Sequence, residues 1–135
     1  MPREDEHLAT AKAFRDEVDV ALRAVATSST NVGNDEADWV ARVAIIKDAL
    51  SCAINHVEAV LARKAGHHAV EHIDRYYVLM RLAQDRLVSH GAPTTYRWVY
   101  DNGRNAADYP ERFDLTWVRT EFIPIVDELA SECGH

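Results

Sequence analysis

Trp39, Val43, Ile46, Leu50, Ile54, Val57 and Leu61 recur at intervals of 4, 3, 4, 4, 3 and 4 residues. That period places them on one side of a single long α-helix and on alternating, incompatible sides of a strand. Ala41, Ala44, Ala49, Ala53, Ala59 and Ala62 accompany them, favouring helix and allowing close approach of neighbouring helices. Asn34 or Asp35 can cap the start of this element, and Gly66 its end after Arg63 and Lys64, whose charges suit the negative end of the helix dipole. A helix with so long an apolar stripe has to be covered by others.

The rest of the chain supplies them. Phe14, Val18, Ala21 and Val25 predict a first helix over about residues 6–26, and the small polar run from Thr27 to Asn34 predicts a loop. Val70, Ile73, Tyr77 and Met80 predict the core stripe of a third helix from about His68 to Leu82. This leaves His72, Arg75, Tyr76 and Leu79 on its other side, as a face for a partner subunit, a small anionic ligand or solvent. Pro93 suits the first turn of a fourth helix over about 93–107, with Tyr96, Val99 and Tyr100 inward and Trp98 on a flank. Pro110 marks a loop, and a last helix is predicted over about 115–132, with Val118, Phe122, Ile125 and Leu129 inward and a kink at Pro124. Trp39, Trp98 and Trp117 fall at the edges of helical stripes. With only 5 Gly and 4 Pro, and no alternating strand pattern, the prediction is all-α: one domain, an antiparallel bundle of four or five helices.

No apolar run is long enough for a membrane span, and the acidic start Met1-Pro2-Arg3-Glu4-Asp5-Glu6 is the opposite of an export signal, so a cytoplasmic protein is predicted. Cys52 then reads as a small buried hydrophobe and Cys133 as an incidental thiol near a frayed tail, with no disulfide between them. The net charge of −7 argues against a general nucleic-acid-binding surface. Residues 63–119, however, carry 9 basic and 7 acidic side chains together with His67, His68, His72 and His90, so any anion-binding surface belongs there.

His68-Ala69-Val70-Glu71-His72 has the form H-x-x-E-H. On one helix, His68 and His72 would share a metal with Glu71 as base, and a third ligand would come from Glu121, Asp127 or Glu128. The bland alternative is a polar face with a Glu71–Arg75 ion pair, and no cofactor is predicted. His56, beside the stripe of the second helix, reads as a boundary histidine bonded to a neighbour. Gly103 lacks the glycine pattern and preceding strand of a phosphate loop.

Three passages resemble the HEPN superfamily, small helical domains of prokaryotic toxin, defence and nucleotide-linked systems. Lys47 through Ala62 is similar to the long helix that precedes a glycine-containing turn in many members. His68-x-x-x-His72-x-x-Arg75 resembles the H-x-x-R opening of the next helix in one small-protein branch, and Arg104-Asn105-Ala106-Ala107-Asp108-Tyr109 resembles that branch's R-x-x-A-D-Y ending. The resemblance covers about residues 40–130, giving a HEPN-like part at about 36–132 preceded by an N-terminal helix and loop. It implies a homodimer that binds a protein partner, a small anionic ligand or RNA, within a toxin–antitoxin or defence system, with His72, Arg75, Arg104 and Tyr109 around one groove. Active members carry an Arg, often followed by Asn, and a His after four to six intervening residues, and cut RNA without metal. Here Arg104-Asn105 starts that pattern and Tyr109 stands where four intervening residues would put the histidine. A phenol near pKa 10 is a poorer acid–base at neutral pH than an imidazole near 6.5. A ribonuclease reading therefore requires Arg104 with Tyr109, His72 or His90.

Overall fold

The structure, a computed structural model, describes residues 3–28, 35–65, 71–109 and 113–135. The chain is an all-α bundle, with no strand among the described residues. Helix α1 (Glu4–Ser28) packs along α2 (Asp35–Val60), which continues through a π-helical turn (Leu61–Ala65). Then follow α3 (His72–Gln84), α4 (Ala92–Asp108) and a final rod made of α5 (Leu115–Trp117), a π-helical turn (Val118–Phe122) and α6 (Ile123–Glu132). No helix among the described residues is long and apolar enough to cross a membrane.

α2 is the axis of the molecule, touching α1, α3, α4 and α6. Because it is surrounded, it buries more than one stripe: Ile45, Ala49, Cys52 and Ala59 are as inaccessible as Ile46, Val57 and Leu61. Trp39, predicted to begin the stripe, lies beyond the covered section and is 50% exposed. On α1, Val18 is fully buried and Phe14, Ala21 and Val25 pack against the core as their spacing predicts. α1 runs on through Thr27 and Ser28, past the helix end expected at about residue 26.

α3 departs from expectation. Glu71 is its N-cap, in an extended conformation (φ −112°, ψ 153°), so the helix begins at His72 rather than near His68. Its inward side is also the opposite one. Leu79 and Leu82 are buried and Tyr76 packs on the core, whereas Ile73 and Tyr77 are 46% and 61% exposed. The Ile73/Tyr77/Met80 stripe is the more apolar by composition, but the side carrying His72 and Arg75 is the one that finds partners inside the bundle.

α4 places Tyr96 and Val99 inward as predicted, with Pro93 in its first turn. Gly103 is a helix-crossing residue: a Cβ there would meet Phe122 Cζ at 3.1 Å and Leu50 Cδ1 at 3.3 Å, so a larger residue would have to push those side chains back by a few tenths of an ångström. Asp114 caps the final rod, its carboxylate accepting from Trp117 N at 2.8 Å. The disturbance expected at Pro124 takes the form of the π-helical turn just before it. The wider turn accommodates a ring that lacks an N–H and would crowd the Thr120 carbonyl in a regular helix. Val118, Phe122 and Leu129 are buried, and Ile125 is half-buried.

Cys133 corrects the expectation of a frayed tail. It is 1% exposed, and the chain around it is tied down by Ser89 N donating to Glu132 O and by Arg63 Nη2 donating to Cys133 O. Burial pushes the Cys133 thiol up to about 12 and the Cys52 thiol to about 11; neither forms a disulfide.

Candidate functional site

The chemistry-bearing side chains gather where α3 lies against α4, over the last turns of α2. The base of the group is Glu58, buried between Val57 and Ala59. A carboxylate taken out of water demands a cation and hydrogen bonds. Arg75 supplies both, its Nε donating to Glu58 Oε1 at 2.7 Å, with the two side chains 14% and 7% exposed. Burial works against the charged guanidinium, but hydrogen bonds to Glu58 and Tyr96 outweigh it, and Arg75 stays firmly protonated.

Tyr96, fully buried on α4, carries the connection outward. Burial raises its phenol to about 12, against an opposing hydrogen bond from Arg75, so the hydroxyl keeps its proton. Its oxygen accepts from Arg75, and it lies 3.0 Å from His72 Nδ1. A hydroxyl has one proton to give. With Arg75 donating to the oxygen, the arrangement that leaves no buried donor idle has Tyr96 O–H donating to His72 Nδ1. His72 is thereby held as the Nε2–H tautomer. Burial and the nearby Arg75, Arg97 and Arg104 lower the pKa of His72 despite the opposing pull of Asp101, so the ring is neutral at pH 7.

The outer end of this chain is a small polar and aromatic platform. The His72 ring stacks on Tyr100, centroids 3.6 Å apart and planes 4° from parallel. His72 Nε2 points toward Asp101 Oδ1 at 3.9 Å, and Asp101 also stands 3.8 Å from Arg97 Nε. The Arg104 guanidinium lies 5.8 Å from the Tyr100 ring centroid, and among the described residues it makes no ion pair. Arg97 lies over Tyr76 at 5.6 Å. The helical period explains the gathering: Tyr96, Arg97, Tyr100, Asp101 and Arg104 occupy successive turns of one side of α4.

Of the residues singled out from sequence, His72, Arg75 and Arg104 come to this place by direct contact or through Tyr96 and Tyr100. Tyr109 is the C-cap of α4 and 49% exposed. It follows Tyr100 by about two and a half turns, which directs it to the other side of the helix. His90 is exposed in the turn before α4, about 20 Å of helix rise from Arg104. Arg75 bonds Glu58 rather than Glu71, which is exposed. Of the H-x-x-E-H residues, Glu71 is the extended N-cap of α3 and His72 is its first residue, while His68 lies outside the described residues, as does the Gly66 cap. Among the described residues no group of three or more His, Cys, Asp or Glu side chains is arranged to hold a metal. Glu58, Tyr100 and Asp101 were not anticipated. An acid in the apolar run Val57-Glu58-Ala59-Val60-Leu61 was the available signal for the first.

His56 has the neighbour its position predicts: its Nδ1 lies 3.0 Å from His135 Nδ1. Burial, then the facing imidazole, lowers its pKa to about 4 against the pull of Asp127. His135 is lowered by burial and by Arg63.

No family model, curated protein or solved structure matches the chain.

Proposed function

We propose that this chain is a HEPN-like binding module of a prokaryotic toxin–antitoxin or defence system, acting in the cytoplasm as a homodimer, whose α3–α4 face holds an anionic ligand. The observation that carries the reading is the orientation of His72. With Nδ1 committed to Tyr96, the imidazole offers an N–H outward, beside Arg104, which makes no ion pair among the described residues, and the weakly engaged Arg97. Two guanidinium groups and an N–H around a flat, stacked ring pair suit a phosphate with an attached planar group, such as a nucleotide unit of RNA. The same tautomer makes His72 a donor and not a general base, so binding is favoured over metal-independent cleavage.

The test is binding of a short single-stranded RNA and of inorganic phosphate, with RNA integrity followed in EDTA. Wild type is expected to bind the RNA without cutting it. Arg104→Ala should weaken binding at least fivefold, and Asp101→Asn should strengthen it severalfold by removing the carboxylate that stands beside His72 and Arg97. Equal affinity in all three proteins would overturn the anion-binding reading. Cleavage in EDTA that disappears in Arg104→Ala would replace it with the ribonuclease reading.

A further inference from the structure

The α3 side that faces away from the core has a self-complementary pattern. At about 100° per residue, Ile73, Tyr77, Met80 and Gln84 fall within roughly 60° of arc. Ile73 and Tyr77 are 46% and 61% exposed, a β-branched residue and an aromatic one turn apart. Asp74 and Arg81 lie together on one flank of this strip, both exposed. Among the described residues neither side chain makes an ion pair.

From this we infer that the outer side of α3 is an interface with a second copy of this chain, packed antiparallel about a two-fold axis passing between Tyr77 and Val78. Asp74 and Arg81 stand at equal distances on either side of that point, each about 5 Å along the helix. The two-fold axis that pairs antiparallel helices keeps each flank on the same side. Asp74 of one copy then meets Arg81 of the other, and the reciprocal contact forms as well, as an isologous interface requires. Tyr77 packs on its own counterpart, and Ile73 enters the gap between Met80 and Gln84 of the second copy. A parallel two-fold pairing puts the two flanks on opposite sides of the seam, where Asp74 and Arg81 of the two copies do not meet. The charges therefore select the antiparallel arrangement.

The helix is about 20 Å long, so the contact falls well below the ~1,200 Å² of a standard stable interface, and the dimer is weak. This inference deepens the homodimer part of the proposed function and rests on it.

Sedimentation equilibrium across micromolar to millimolar concentration tests it. Asp74→Arg and Arg81→Asp should each abolish self-association by setting like charges at both contacts. Mixed one to one, the two variants should associate again, because every contact then joins a cation to an anion. Tyr77→Ala should weaken the wild-type dimer at least tenfold; unchanged far-ultraviolet circular dichroism and melting temperature would show the fold intact. A wild-type dimer insensitive to all three changes would overturn this surface and leave the homodimer reading standing. A wild type that is monomeric at millimolar concentration would overturn both.

Discussion

Along the seam between α1 and α2 the interior is apolar. Ala11 and Val18 are buried against the central helix, and two polar contacts, Arg63–Glu4 and His7–Asn55, lie at one end. Along the seam between α3 and α4 the interior itself is polar, with Glu58, Arg75, Tyr96 and His72 linked from the buried axis to the surface. Both seams join helices of the same bundle, but the first works by removing apolar area from water and the second by completing hydrogen bonds. The first tolerates changes that preserve volume. The second fixes the orientation of particular atoms and fails when one member is removed.

The sharpest way to break that contrast is at its base. Arg75→Ala takes the guanidinium away from the buried Glu58 carboxylate and should cost about 3–5 kcal/mol, measured by denaturant unfolding. Replacing both members, Glu58→Leu with Arg75→Met, should recover most of that loss. By comparison, Glu4→Ala opens a partly exposed ion pair with Arg63 and should cost under about 1 kcal/mol. Equal losses in Arg75→Ala and Glu4→Ala would contradict the distinction between the seams.

Next in size is the crossing that sets the spacing of α4. Gly103→Val should destabilise by about 2 kcal/mol, because Phe122 and Leu50 already stand at contact with the missing Cβ and Phe122 is fully buried. A smaller effect comes from pH. The folded state holds His56 near 4 and lowers His72 and His135, whereas the unfolded chain titrates near 6.5. Between those values the unfolded state binds more protons, so stability should be full above about pH 7 and fall as the pH drops from about 6.5 toward 4. Urea midpoints across that range check the sign, and His56→Gln should flatten the slope.

The same contrast decides how much could be read from the sequence. α1 and α4 were legible because their inward faces are apolar stripes with a helical period, and Val18, Tyr96 and Val99 lie where that period puts them. α3 was not, because period alone identifies the more apolar side and not the side that faces inward. Ile73 and Tyr77 look like core until Glu58, seventeen residues upstream of Arg75, is known to need a cation. That pairing depends on how α2 and α3 meet in space, and no local spacing encodes it. His72 and Arg104 were recognisable as candidates. Tyr100 and Asp101 become part of the site only once α4 is laid against α3.

The tautomer of His72 is the point on which the polar seam and the proposed ligand face both depend. Nitrogen-15 NMR of the imidazole at pH 7 reads it directly. The hydrogen-bond chain predicts a neutral ring protonated at Nε2, with Tyr96→Phe shifting the balance toward Nδ1–H. A His72 ring protonated at Nδ1 in the wild type, or unaffected by Tyr96→Phe, would contradict the account.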